Sequence, residues 1–360
     1  MSQSLFYHDK PVFGLDIGSG SVKAMQMDYD HNKGRMEVLG YGLTNFDSKV
    51  MEDGVITDYR AMAKPIHDLF SHGLVGGIGT RRVILSIPTA RAFSRILNLP
   101  LLNRKALNEA VRLEAEQYIP VPINDLYIDY EQVSDKPNKD GLVEILVVAA
   151  PRKIVDAYLN LMKMLDLEVV AIETNLSAST RLISLTENKE NVPTLLIDVG
   201  SESIDISVLD KSLRVTGTVT SGGNDFTKAI ASQLQITPKE ANAIKAHYGL
   251  AVSKHQQTVK QAVTPIIDQL IKEVQRLMRY YSERINDHDH IQQVITMGGG
   301  ANMPGLSDYL TEQLRMPVRQ CSPWQMLSFG KLQPPHDLES SMYITVAGLA
   351  LVDPKGVYGS

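Results

Sequence analysis

VFGLDIGSGSVKAMQMD, residues Val12 to Asp28, is the stretch on which the fold turns. Apolar residues lead into Asp16, a Gly-Ser-Gly-Ser turn follows at Gly18 to Ser21, and an alternating run through Val22, Ala24 and Met27 leaves it. Period-two alternation on both sides of a short glycine-containing turn predicts a β-hairpin. Gly18 and Gly20 are expected to take positive φ or to admit a close neighbour, since neither has a Cβ. Ser19 and Ser21 add hydroxyls, and successive amides in such a turn can form an anion-binding nest. Asp16, at the mouth of the turn, is placed to orient a hydrated divalent cation, and Lys23 can reach a phosphate as a point charge. Glycine-serine turns are common, however, and taken singly this one reads better as a tight turn with nothing bound.

The chain repeats the pattern. Thr194 to Asp210 reads TLLIDVGSESIDISVLD. Asp16, Gly18, Ser19 and Ser21 recur as Asp198, Gly200, Ser201 and Ser203, each displaced by 182 positions. The displacement is about half the chain, so it marks an internal duplication and not a short-period solenoid. One phosphate-friendly hairpin per half suggests a nucleotide clamped between two similar domains.

Two further stretches complete a set. Val294 to Leu306, VITMGGGANMPGL, is an apolar strand, three glycines and a helix start; Gly222-Gly223-Asn224-Asp225-Phe226 follows a strand expected over Val215 to Thr220. In this order, the four stretches resemble the actin-like ATPase superfamily, which includes Hsp70, sugar kinases, FtsA and PilM. The resemblance implies an α/β fold of two RNase H-like domains, each a mixed sheet flanked by helices, with ATP and Mg2+ in the cleft. It implies that Gly18, Ser19, Gly20, Ser21 and Lys23, with Gly200, Ser201 and Ser203, hold the phosphates. Asp16 and Asp198 would then hold the hydrated metal, and the helix starting near Gly222, Gly223 and Asn224 would turn its first amides towards a phosphate. Gly298, Gly299, Gly300, Ala301 and Met303 would cover the adenine. Where FtsA-like proteins place a ribose-contacting glutamate three residues before a lysine, this chain has Asn242 before Lys245; Glu240 is the nearest substitute.

The 360 residues suffice for two ordinary domains and a substantial core, and 43% hydrophobic with 21% charged residues fits a globular chain. A net charge of −5 offers no broad attraction to nucleic acid or anionic lipid. Cys321 is the single cysteine, which excludes an intrachain disulfide and suits a cytoplasmic location. The start, MSQSLFYHDK, lacks the layout of a signal peptide, and no run approaches a membrane span.

In chain order, the first domain is expected over 1–82, 169–191 and 331–360, an inserted lobe over 83–168, the second domain over 192–235 and 290–330, and a helical subdomain over 236–289. His31 to Gly34 reads as a turn, the polar stretch Glu187 to Pro193 as the boundary between halves, and Met342 to Leu351 as a helix closing back on the first domain. In the lobe, the helix Arg104 to Tyr118 sets Leu107, Val111, Glu114 and Tyr118 on one face, so Glu114 either contacts a partner or is a structural carboxylate. Glu114 to Leu126, EAEQYIPVPINDL, resembles the Glu-rich helix and Tyr-Ile-Pro turn of the PilM family of type IV pilus machines. FtsA ends in an amphipathic membrane helix, whereas this chain ends in an apolar helix, then Pro354 and Gly356.

Glu173, read as opening a helix before the second hairpin, resembles the glutamate that faces the nucleotide in Hsp70 and is the candidate catalytic carboxylate for orienting water. An acid at a helix start is also stabilised by the dipole with no further role. Asp287-His288-Asp289-His290 reads as a solvated loop in preference to a metal site. The PilM resemblance implies an ATP-binding cytoplasmic scaffold with weak or absent ATPase activity, held at the inner membrane through the N-terminal tail of a PilN-like membrane protein. That tail would lie in the groove between the lobe and the first domain. No nucleic-acid partner and no direct membrane insertion are expected, and self-association stays open. The rivals are an FtsA-like filament former and a small-molecule kinase of the same superfamily.

Overall fold

The computed structural model describes residues 10–30, 34–134, 136–186, 192–284 and 290–353. Most of the expected turn at His31, the boundary segment around Glu187, Asp287 to Asp289 and the Pro354–Gly356 tail lie outside the described residues.

Two sheets carry the duplication. In the first, the neighbours run Glu168–Thr174, Arg82–Ile87, Phe13–Ile17, Ser21–Asp30, Arg35–Asn45 and Val75–Gly76. In the second they run Val318–Gln320, Gln293–Met297, Thr194–Val199, Ile204–Asp210 and Ser212–Val219. Each sheet is an antiparallel three-strand meander with two parallel strands added beside its first strand. The register matches as well, for Asp16 opposes Lys23 and Asp198 opposes Asp205. The turns close alike, Gly18 N–H donating to Ser21 O at 2.9 Å and Gly200 N–H to Ser203 O at 3.0 Å. Contrary to expectation, neither Gly18 nor Gly20 takes positive φ. The turns are made in ordinary φ space; at Gly200 a Cβ would stand 2.9 Å from Ser203 O.

The strand Arg82–Ile87, assigned to the lobe on sequence, lies inside the first sheet between Phe13–Ile17 and Glu168–Thr174. Helix Arg152–Met164 also leaves the lobe, packing Ile154, Tyr158 and Leu161 into the first domain's core with Phe13 and Leu15. The lobe proper is a three-stranded antiparallel sheet, Phe93–Pro100, Leu142–Pro151 and Leu126–Gln132, backed by helix Arg104–Tyr118. Asn103 caps that helix by accepting from Ala106 N–H at 3.0 Å, and Val111 and Ala115 are its buried residues.

Helix Gln256–Arg284 backs the second sheet with a buried stripe of Val259, Val263, Ile267, Leu270, Val274, Leu277 and Tyr281. That spacing of three and four is the core-facing face of an amphipathic helix. No helix among the described residues is long and apolar enough to cross a membrane. The helix Ile344–Ala350 is buried at all seven positions and closes the first domain. It sits between the first sheet and helix Asn175–Thr186, and glycine permits both contacts. A Cβ on Gly14 would stand 2.6 Å from Val346 O, and one on Gly348 would overlap Ala178 O.

Candidate functional site

The two hairpin turns face one another across a cleft of about 780 Å3. The duplication places Ser19 against Ser201, and their hydroxyls are hydrogen-bonded. Asp16, Gly18, Ser19, Ser21 and Lys23 line one wall, and Asp198, Gly200, Ser201 and Ser203 the other. Gly298, Gly299, Gly300 and Met303 border it on the second-domain side, as do Gly223, Asn224, Asn242 and Lys245.

The two carboxylates at strand ends have different surroundings. Asp16 is buried, receives Lys23 Nζ at 3.0 Å and accepts from Ser86 Oγ at 2.6 Å. At the position equivalent to Lys23 the second half has Asp205, whose carboxylate accepts from Thr218 Oγ1 at 2.6 Å. Burial, then the negative charges of Asp205 and Asp16, push the Asp198 carboxyl up to about 7, with Lys23 opposing. Burial also raises Asp205, against hydrogen bonds from Thr218 and Asn175. The cleft floor thus holds three buried carboxylates and Lys23, a surplus of negative charge that a divalent cation relieves. Among the described residues no three His, Cys, Asp or Glu side chains are close enough to cage a metal, and the Asp287–Asp289 loop lies outside them. One or two carboxylates, and not a full protein cage, are the kind of site that suits Mg2+, which keeps waters and shares ligands with phosphates.

Gly298 is required by geometry: its φ is +82°, and a Cβ there would collide with Asp198 Oδ1. Lys245 Nζ donates to Gly223 O and Thr227 Oγ1, both at 2.8 Å, and desolvation lowers its pKa. It ties helix Pro238–His247 to the start of helix Gly223–Leu234.

Several expected residues stand behind the surface or elsewhere. Gly20 and Ala301 do not line the cleft; Gly20 O instead accepts from Phe46 N–H at 3.2 Å, and Ala301 is buried in the second domain's core. Gly222 supports the second turn from behind, where a Cβ would stand 2.6 Å from the Ser201 carbonyl carbon. The first amides of helix Gly223–Leu234 do not point at a phosphate position: Gly223 N–H donates to Gly200 O and Asn224 N–H to Ser201 O, both at 2.9 Å. They brace the turn that faces the cleft. Glu240 is spent on the helix cap, accepting from Thr237 N–H at 2.9 Å and Thr237 Oγ1 at 2.7 Å, which lowers its pKa.

Glu173 requires correction. It does not open a helix; it is the penultimate residue of the strand Glu168–Thr174, because EVVAIET is a β-branched run. Its carboxylate takes both terminal nitrogens of Arg181 at 2.7 Å and is not part of the cleft lining. The helix begins at Asn175, and that amide does reach the cleft, accepting from Thr89 N–H at 2.9 Å. Asn175, Ser86, Thr218 and Asp205 line the cleft and were not singled out from the sequence. Only Asp205 left a signal, as the partner of Lys23 in the repeat.

The sequence profile of the type IV pilus assembly protein PilM matches residues 14–353. The chain belongs to the PilM family. Its backbone follows that in the PilM–PilN type IV pilus biogenesis complex with a TM-score of 0.82 at 22% identity, over 96% of this chain and 98% of that one. MreB5 of Spiroplasma citri bound to ADP is similar at a TM-score of 0.53 and 15% identity, over 98% and 99% of the two chains. The fold is therefore that of the actin-like ATPases. In sequence the chain is also similar to cell division protein FtsA of Enterococcus faecalis, 23% identical over 351 residues, which cover 87% of this chain and 79% of that protein. FtsA of Pseudomonas aeruginosa is 25% identical over 364 residues, covering 88% and 84%.

Proposed function

We propose that this member of the PilM family is an ATP-binding scaffold of type IV pilus assembly, cytoplasmic and held at the inner membrane by a PilN-like membrane protein. The observation that carries the nucleotide reading is the convergence of two equivalent hairpin turns, Ser19 on Ser201, upon one cleft with an aspartate at the base of each. Turn amides and hydroxyls with Lys23 would hold phosphates, Asp16 and Asp198 the hydrated Mg2+, and the Gly298–Gly300 segment the base. The bound cation would supply charge neutralisation between phosphates and carboxylates. Titration calorimetry with Mg-ATP tests this: Asp16→Ala and Asp198→Ala should each weaken binding about tenfold or more. Unchanged affinity in both folded variants would overturn the clamp.

Hydrolysis is expected to be slow or absent. Arg181 holds both oxygens of Glu173, the candidate water-positioning carboxylate, outside the cleft lining. Turnover at ~1–10³ s⁻¹ would contradict the scaffold reading.

For the partner tail we place the binding groove between the lobe and the first domain, bordered by helix Arg104–Tyr118. Glu114 is half-buried on that helix, close enough to Tyr118 to raise its hydroxyl pKa alongside the larger effect of burial, while Glu116 is exposed. Glu114→Ala should weaken binding of a PilN-like tail peptide without lowering thermal stability, and Glu116→Ala should not weaken it. Equal effects of the two would put the tail elsewhere. The FtsA similarity favours one second reading, a filament former, which a pelleting assay with ATP would separate from a monomeric scaffold.

A further inference from the structure

The lobe is anchored at two places. At its root, the turn Thr89–Arg91 between the first sheet and the lobe forms part of the cleft wall, and Thr89 is hydrogen-bonded to Asn175 on the cleft floor. Away from the root, the lobe crosses to the second domain and meets the strand Ser212–Val219, which is an edge of that sheet. Thr216 and Thr218 share a face of this strand, and Arg214, the extra residue at a register shift against the neighbouring strand, continues their row on the lobe side. Arg214 Nη1 binds Glu144 Oε2 of the lobe's central strand at 2.6 Å, and Thr216 Oγ1 pairs with Ser94 Oγ of the lobe's edge strand at 3.0 Å. Thr218, the third of the row, donates to Asp205 in the cleft.

Arg214 is held ready on its own side. Its Nε donates to Asp210 O at 3.1 Å and lies 3.8 Å from the Asp210 carboxylate, which Tyr281 Oη binds at 2.9 Å. Its side chain is 13% exposed and that of Glu144 31%, so the pair is partly shielded from water. An ion pair in such a setting, with one partner already oriented, is stronger than an open surface pair. The connections between the domains thus include a side-chain row that runs from the lobe to the cleft's own carboxylate.

We propose that this row is a latch: the lobe, rooted in the first domain, grips the second domain's edge strand and holds the nucleotide cleft closed, so that releasing Glu144 from Arg214 is the step that lets the cleft open. The latch is a property of the chain alone. Its effect on nucleotide exchange rests on the nucleotide-binding reading above.

The two are separated by measuring both. Spin labels on Lys105→Cys in the lobe and Lys239→Cys in the second domain, both exposed sites, report the distance between the two bodies by pulsed electron resonance without nucleotide. The full-length protein should give one narrow distance. Glu144→Gln, which keeps the shape and leaves Arg214 its Asp210 partner, should broaden and lengthen it, as should Arg214→Ala. The exchange Glu144→Arg with Arg214→Glu should restore part of it. Release of a fluorescent ATP analogue should quicken about tenfold in Glu144→Gln. Unaltered distances in both single variants overturn the latch. Altered distances with no analogue bound by any form support the latch and overturn the nucleotide reading alone. Altered distances with an unchanged release rate overturn the latch's control of the cleft.

Discussion

The two hairpins share a backbone and differ in charge. In the first, Asp16 opposes Lys23, and the pair neutralises itself with help from Ser86. In the second, Asp198 opposes Asp205, and two acids share a buried corner. A duplicated frame has therefore produced two hairpins of one geometry whose strand ends carry different charge. The asymmetry is one of charge: the first hairpin sets a base against its acid, and the second sets acid against acid.

Removing the lysine should make the first hairpin resemble the second. Lys23→Met leaves Asp16 buried with Ser86 alone, and breaking a buried pair in this way costs about 3–5 kcal/mol. Urea denaturation at pH 8 should show that loss, and a change below about 1 kcal/mol would mean that Asp16 is not stabilised by Lys23.

The second hairpin should show itself through pH. The Asp198 carboxyl is raised above its unfolded value, to about 7. Its contribution to stability is thus fully present below about pH 4 and is lost as pH rises through about 7. In metal-free protein this amounts to about 2–4 kcal/mol, and Asp198→Asn should flatten that part of the profile. Adding Mg2+ with nucleotide should also flatten it, by stabilising the ionised form. A profile for Asp198→Asn that overlays the unsubstituted protein would remove Asp198 as its source. Asp205→Asn, which preserves an acceptor for Thr218, should shift the midpoint downwards and reduce the total loss by a smaller amount, about 1 kcal/mol.

The smallest effect tests the symmetry itself. Ser19→Ala and Ser201→Ala each delete one end of the same hydroxyl contact, so each should cost about 0.5–1.5 kcal/mol, and the double variant no more than either single one. Additive losses in a double-mutant cycle would show that the two hydroxyls act separately.

How much of this was legible in the chain follows from what each feature depends on. The hairpins depend on local alternation and turn chemistry, which recur in the sequence. The strand Arg82–Ile87 is buried at every position, and its apolar stretch Val83–Leu85 shows no alternation that would say which sheet it joins. Glu173 was misplaced because its role was inferred from nearness to the second hairpin, while the β-branched residues before it favour a strand that carries it past the cleft. Asn175, Ser86 and Arg214 matter through partners 70 to 86 residues away, and no periodicity records such pairs.

The helix Ile344–Ala350 sets the order of events during synthesis. The second domain's sheet and its core are built from one continuous stretch of chain, so they can assemble as soon as that stretch has left the ribosome. The first domain is translated earlier, yet the helix that covers Gly14 and Ala178 follows the whole of the second sheet in the chain. At ~5–20 residues per second, the interval between finishing the strand Glu168–Thr174 and delivering its cover is roughly 10–30 s. Throughout that time the older half of the molecule presents an apolar floor to its surroundings, and the younger half is the first to be finished.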